Sequence, residues 1–316
     1  MNRSLVLIPV VAVLLAGCST PAPEPVDNGL VIVDNCGFEL RVASPPQRII
    51  TIKSTSTELL LALGLGHRVI GQAFPDGPLP ESLAGTHVPI ISDFAPSEEA
   101  VLDLEPDFVF GGWESNFTAE AAGERDELAA LGIGTYVSPA ACKEPGYKPV
   151  RLSFGDVFSY INEAGTIFGA DAAAAALVDS QSLELSGVDK DPRGLSALWW
   201  SSGDDTPYVG GGIGAPQLVL DTVGLVNVGA DIDDTWSTFS WEAIVDANPD
   251  VIVLIDASWN TAESKKEQLR NNPATAALPA VVNERYLVLP FAAGEAGVRT
   301  VDAAVDLAAQ LAAIHQ

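Results

Sequence analysis

The stretch Lys53-Ser54-Thr55-Ser56-Thr57-Glu58 sets one ammonium and four hydroxyls between a strand-like apolar run and a helical one. Hydroxyls, free amides and a cation at a helix start make an anion site. The same stretch also fits a capping box, Thr55-x-x-Glu58, whose side chains satisfy the helix's own amides. Lys53, Ser54 and Thr55 are therefore candidate ligand-binding residues, and Arg299 in Ala293-Gly294-Glu295-Ala296-Gly297-Val298-Arg299 is their C-terminal counterpart, facing a ligand or pairing with Glu295. Aromatic residues are few but gather at expected strand ends: Phe74, Trp113, Tyr147, Trp200, Tyr208, Trp236 and Trp259. Indole and phenol rings stack on flat ligands and offer a polar handle. Trp113, Trp236 and Trp259 have polar neighbours, among them Glu114, Asn116, Asp234 and Asn260, which favours a cleft over a core. One of Trp199 and Trp200 belongs to the core, because neighbours on a strand face opposite ways. Glu114, Asn116, Asn260 and Lys143 complete the candidate set.

Other chemistries lack their spacing. Gly210-Gly211-Gly212-Ile213-Gly214 has neither the Gly-Lys-Ser/Thr ending of a phosphate loop nor a dinucleotide fingerprint. His67, His87 and His315 are scattered, and Met1 is the one methionine, so no metal site is expected. Asp204-Asp205 and Asp233-Asp234 read as solvated turns rather than acid/base or Ca²⁺ pairs. A secreted hydrolase would need a nucleophile–base pair, and none is legible. The expectation is binding without catalysis, cofactor or metal.

These residues must be held by alternating strands and helices. Strands are expected at 48–52, 69–72, 108–111 and 135–138, then at 196–200, 251–255 and 286–289, with helices between them. That alternation implies parallel sheets covered on both faces. The chain also repeats itself. Glu99-Ala100-Val101-Leu102-Asp103 followed by Pro106-Asp107 and an apolar run matches Glu242-Ala243-Ile244-Val245-Asp246 followed by Pro249-Asp250 and another. An earlier echo pairs the helix ending at Gly64 with the helix ending at Gly224. Two related α/β lobes follow, with helices at 154–168 and 172–186 between them. Ligands of such sheets bind outside the carboxyl ends of the strands, so the space between lobes is the default site.

The N-terminus reads as processing. Asn2 and Arg3 precede an apolar run, Leu5 to Ala16, shorter than the ~20 residues that a bilayer-spanning helix needs. Leu15-Ala16-Gly17-Cys18 then has the form of a lipoprotein signal, with Cys18 lipidated. The expected organisation is a signal peptide over 1–17, a Pro-rich tether over 18–30, an N-terminal lobe over 31–168, a connecting helix over 169–190 and a C-terminal lobe over 191–316. Export leaves Cys36 and Cys142 as a single expected disulfide. With 42 Asp and Glu against 16 Lys and Arg, the net charge of −26 argues against nucleic-acid binding.

The lipoprotein signal, the paired Glu-Ala…Pro-Asp segments and the two-lobe pattern resemble the periplasmic-binding-protein family of siderophore- and cobalamin-type ABC importers, in its class with a single-helix hinge. The resemblance spans about residues 30–312 and implies two Rossmann-like lobes with parallel sheets joined by one long α-helix. It also implies a monomer outside the cytoplasm, lipid-anchored, that hands a small molecule to a permease dimer through Glu99 and Glu242. Lys53-Ser54-Thr55, Ala73-Phe74-Pro75-Asp76-Gly77, Gly112-Trp113-Glu114-Ser115-Asn116, Ala141-Cys142-Lys143 and Ala257-Ser258-Trp259-Asn260-Thr261 are similar to an actinobacterial subfamily proposed to import the precursor of the deazaflavin coenzyme F-420. The alternatives are a ferric siderophore or cobalamin, or a sensing or scaffolding lipoprotein without a permease.

Overall fold

A computed structural model of the chain describes residues 29–314. The expected signal peptide and Cys18, and nearly all of the tether, lie outside the described residues, as does His315. The chain opens with an antiparallel hairpin, β1 (Val31–Asn35) and β2 (Phe38–Val42). Next come β3 (Ile49–Ile52), α1 (Ser54–Ala62), β4 (Val69–Ala73), β5 (Ile90–Ser92), α2 (Glu98–Leu102), β6 (Phe108–Gly111), α3 (Arg125–Ala130) and β7 (Gly134–Val137). These five strands form one fully parallel sheet in the order β5-β4-β3-β6-β7. Its central strand β3 and the neighbouring β6 read IITI and FVFG with every residue buried, as a parallel sheet covered on both faces demands.

Two helices lead to the second sheet. In α4 (Phe154–Phe168), Ser153 caps the start and accepts from the Asp156 amide, and Gly169 ends the helix at φ 67°. In α5 (Asp171–Leu185) the chain turns back along α4, and the two meet at Gly165, where a Cβ would lie 2.5 Å from the Ala174 side chain. The expected connecting helix over 169–190 is therefore shorter, because Gly169 breaks the run on one side and the helix is spent by Ser186 on the other.

The second half builds β8 (Ser196–Ser202), β9 (Tyr208–Gly210), α6 (Ala215–Val223), β10 (Val226–Asn227), β11 (Trp236–Thr238), α7 (Trp241–Ala247), β12 (Val251–Asp256), α8 (Ala262–Asn271), α9 (Pro279–Val282), β13 (Tyr286–Pro290) and α10 (Thr300–Ala313). The order is β11-β9-β8-β12-β13, with β10 also on β8. This sheet is mixed rather than all parallel, since β9 runs antiparallel to both its neighbours, β8 and β11. The repeat seen in the sequence has a counterpart in both sheets: β6 and β12 each pair in parallel with the first strand of their own sheet, β3 and β8. Both are preceded by a short helix with a serine cap. Ser97 accepts from the Ala100 amide and Ser240 from the Ala243 amide. The earlier echo persists too, α1 and α6 being followed by Gly64 and Gly224 at φ 76° and 84°.

The core does not stop at the lobe boundary. Leu59, Leu60 and Phe168 of the first half share one apolar cluster with Ala215, Ala296 and Val298 of the second. The expected bridge between Cys36 and Cys142 is present and spans 106 residues. Among the described residues no helix is long and apolar enough to cross a membrane.

Candidate functional site

The carboxyl ends of strands from both sheets converge on one cavity of about 400 Å³. Trp113 follows β6, Ser138 follows β7, Ser201 and Ser202 end β8, and Phe291 and Glu295 follow β13. Parallel strands leave amides and loops at these ends, which is why ligands gather there. Trp259 comes from the turn after β12, and Tyr208 and Trp236 from the antiparallel pair β9 and β11. The Tyr208 and Trp236 rings lie nearly parallel, 17° apart with centroids 6.5 Å apart, while Trp259 meets Phe291 edge-on at 5.3 Å. Gly112 lets the N-terminal wall close in, because a Cβ there would sit 2.8 Å from the Lys53 Cβ. Among the lining residues the charged groups are Glu114, Glu295 and a single cation, Lys143.

Lys143 sits at the rim. Its Nζ donates to Asp234 Oδ1 at 2.5 Å across the lobes, and its amide is bound by the Glu114 carboxylate. Burial raises the Asp234 carboxyl, but the Lys143 bond, the Thr235 amide and the charges of Lys143 and Lys148 together outweigh it, and the net shift is downward. Lys148, also from the first half, reaches the carbonyl of Asp233. Both lysines stand on the segment just after Cys142, so the disulfide and the Tyr147 hydroxyl, which donates to Asp34, tie that rim to the β1–β2 hairpin.

Below the cavity the structure corrects the sequence. Lys53 does not line the cavity. It is wholly buried at φ 81°, paired with Asp76, with its ammonium 4.0 Å from the Phe74 and Trp113 rings and 4.6 Å from Phe291. A buried ammonium needs a counter-ion and π faces to replace its water, and this box supplies both. The capping box is absent as well: α1 starts at Ser54, two residues before the start that a Thr55 cap would set, Thr55 turns its hydroxyl to Glu295, and Glu58 pairs with Arg299. Arg299 therefore neither faces the cavity nor pairs with Glu295; it grips Glu58 through two bonds of 2.5 and 2.6 Å. Burial raises the Glu58 carboxyl while Arg299 opposes that rise.

Six further candidates do not line the cavity. Ser54 exchanges bonds with Asp76, and Phe74 forms part of the lysine box. Asn116 closes the turn after Trp113 by accepting its amide, and Tyr147 packs on the hairpin turn at Gly37. Trp200 is buried against Trp241, 5.2 Å away, while Trp199 is buried on the opposite face. Both are core because helices or loops cover both faces of β8. Asn260 holds a lysine instead: Lys265 Nζ donates to the carbonyls of Asn260 at 2.8 Å and Ile255 at 2.5 Å. Burial lowers that ammonium to about 8. Thr55, Trp113, Glu114, Lys143, Tyr208, Trp236 and Trp259 do meet around the cavity. Sequence reasoning missed Phe291 and the serines, whose signal was position alone, immediately after expected strands.

Glu99 and Glu242, the residues that the resemblance assigns to docking, are both exposed on the first turns of α2 and α7. Among the described residues no cluster of His, Cys, Asp and Glu could hold a metal ion.

Comparison with known proteins agrees with this architecture. A family model described as periplasmic binding protein matches residues 49–293. An uncharacterized ABC transporter substrate-binding lipoprotein, YvrC of Bacillus subtilis (strain 168), is 27% identical over 81% of each chain. A periplasmic binding protein from Veillonella parvula superposes with a TM-score of 0.78 at 25% identity, covering 91% of this chain and 99% of its own. A component of an ABC-type Fe3+-hydroxamate transport system from Saccharomonospora viridis gives 0.74 at 26% identity, covering 90% and 99%. The periplasmic heme binding protein HutB of Vibrio cholerae, at 19% identity and a TM-score of 0.66 over 84% and 98%, shares the fold.

Proposed function

Because the chain belongs to the periplasmic binding protein family, we propose that it is the substrate-binding component of an ABC importer that captures a flat, cofactor-sized molecule between its lobes. The observation that carries this is the cavity itself: one space at the strand ends of both sheets, walled by Trp113, Trp236, Trp259, Tyr208 and Phe291. Its volume of about 400 Å³ falls in the ordinary range for small-molecule sites, ~300–1,000 Å³. Its relatives are substrate-binding proteins rather than enzymes. Lipid anchoring through Cys18 outside the cytoplasm is part of the same proposal, supported by the lipoprotein relative.

The specific ligand we assign is the deazaflavin coenzyme precursor. Five aromatic rings suit a conjugated tricycle, and the rim ammonium of Lys143 suits an anionic tail. The alternative is a ferric siderophore, cobalamin being a further one. A tris-hydroxamate complex, whose ligand charges cancel those of Fe³⁺, fits a lining without arginine and is favoured by the Saccharomonospora viridis neighbour. Glu99 and Glu242 would engage the permease; their exposure and their matching places in the two repeats support that role.

The test is a titration of the purified mature protein with the deazaflavin precursor and with a ferric tris-hydroxamate, followed by tryptophan emission. The reading predicts quenching by the precursor at micromolar or tighter affinity, weakened by Trp113→Ala, Trp236→Ala and Lys143→Met. Quenching by the hydroxamate alone, unaffected by Lys143→Met, would replace the first ligand with the second.

A further inference from the structure

Glu295 is the carboxylate that crosses from the second lobe to the first at the cavity wall. It is 8% exposed, its Oε1 accepts from Trp113 Nε1 at 2.6 Å, and its Oε2 accepts from Thr55 Oγ1 at 3.1 Å. Both donors also line the cavity. Its main chain is pinned by Thr300, whose hydroxyl donates to the Glu295 carbonyl at 3.2 Å. The charged and titratable groups around it come from every packed element. Lys53 and Asp76 form their pair beside it, Tyr160 of α4 feels its charge, and Arg299 is committed to Glu58.

We propose that Glu295 is a positioning residue of the ligand cavity, setting the Trp113 ring across the lobe junction and tying lobe opening to the release of its own proton. With the lobes together, water is excluded from the carboxyl. Burial pushes it from 4.5 up to about 7, with Lys53 opposing and Asp76 adding to the rise. Opening would hydrate it and return it to the ordinary carboxylate range. The closed form therefore binds the proton more tightly than the open form. Acid favours closure, and a rise through neutral pH favours opening. Taking the carboxyl at about 7 closed and 4.5 open, the balance shifts on the order of seventy-fold between pH 5 and pH 8. Glu58, also buried and raised, works in the same direction. Asp234, lowered by Lys143, works in the opposite direction but only below the ordinary carboxylate range. Ionised or protonated, Glu295 can take both donors, so Trp113 is oriented in either form while the junction is shut.

The consequence for binding rests on the cavity being the ligand site, but the coupling itself needs no ligand. The experiment therefore uses the ligand-free full chain, recording tryptophan emission and urea stability from pH 5 to 8.5 for the wild type, Glu295→Gln and Trp113→Phe. The wild type is expected to show an emission transition centred near pH 7 and to gain stability as pH falls through it. Glu295→Gln, which mimics the protonated form, should lose that transition and be at least as stable as the wild type at pH 8. Trp113→Phe should keep the stability slope while losing the emission change. A wild-type midpoint retained in Glu295→Gln, or Glu295→Gln weaker than the wild type at pH 8 with an unchanged slope, overturns the proposal. An absence of binding in the ligand titration would leave this transition in place, so the two failures are separable.

Discussion

Arg299→Met should cost more stability than any exposed-charge change, and the geometry sets how much. The guanidinium and the Glu58 carboxylate are 8% and 1% exposed and share two bonds. Removing the cation leaves a buried anion near Asp76 and Asp302, both of which raise it further. Breaking a buried pair this way costs about 3–5 kcal/mol, whereas replacing both partners by apolar groups of similar volume is often near neutral. Urea unfolding of the wild type, Arg299→Met, Glu58→Leu and the double variant at pH 7.5 should place each single variant about 3 kcal/mol or more below the wild type. The double variant should lie within about 2 kcal/mol of it. The sign with pH is fixed. With its partner gone, Glu58 has a folded-state pKa raised further above the ordinary value, so its penalty is full at neutral pH and shrinks as the carboxyl takes a proton on acidification. Arg299→Met should therefore lose less at pH 5 than at pH 7.5. A cost below 1 kcal/mol, or a double variant as weak as the sum of the singles, refutes the view that this buried pair carries stability through its two bonds.

Three further outcomes follow from named contacts. Reducing the Cys36–Cys142 bridge, which spans 106 residues, should lower stability by about 3–5 kcal/mol in urea with and without reductant, and loosen the rim that carries Lys143. Lys265→Met should free the turn that holds Trp259 and flatten the stability slope above pH 8. Burial holds the wild-type ammonium down to about 8, so the wild type gains stability as pH rises from there toward the ordinary lysine range. Glu99→Ala and Glu242→Ala should leave ligand affinity within about twofold and abolish uptake by cells; a matched loss of affinity would mean that these residues do not act at the permease.

The sequence shows the strands at 108–111 and 251–255 and the helix at 154–168 because buried parallel strands and capped amphipathic helices leave periodic marks. It does not show β9 and β11, since three-residue strands carry too little pattern to stand out from turns. The site divides along the same line. Trp113, Trp236 and Trp259 were legible because polar neighbours flag a ring that is not core. Lys53 was misread for a physical reason: its box joins Asp76 to rings from three separate segments, and no local spacing reveals that a lysine has found a buried partner. Glu295 was seen only as a partner for Arg299, because the donors it meets lie 182 and 240 residues away.

The central claim is that a conjugated small molecule sits between the lobes, against Trp113 and Trp236. Mass spectrometry of the protein purified from its own host under native conditions tests it directly, with Trp113→Ala/Trp236→Ala prepared alongside. The account predicts a retained cofactor-sized molecule on the wild type and none on the double variant. The same retained mass on both proteins would contradict it.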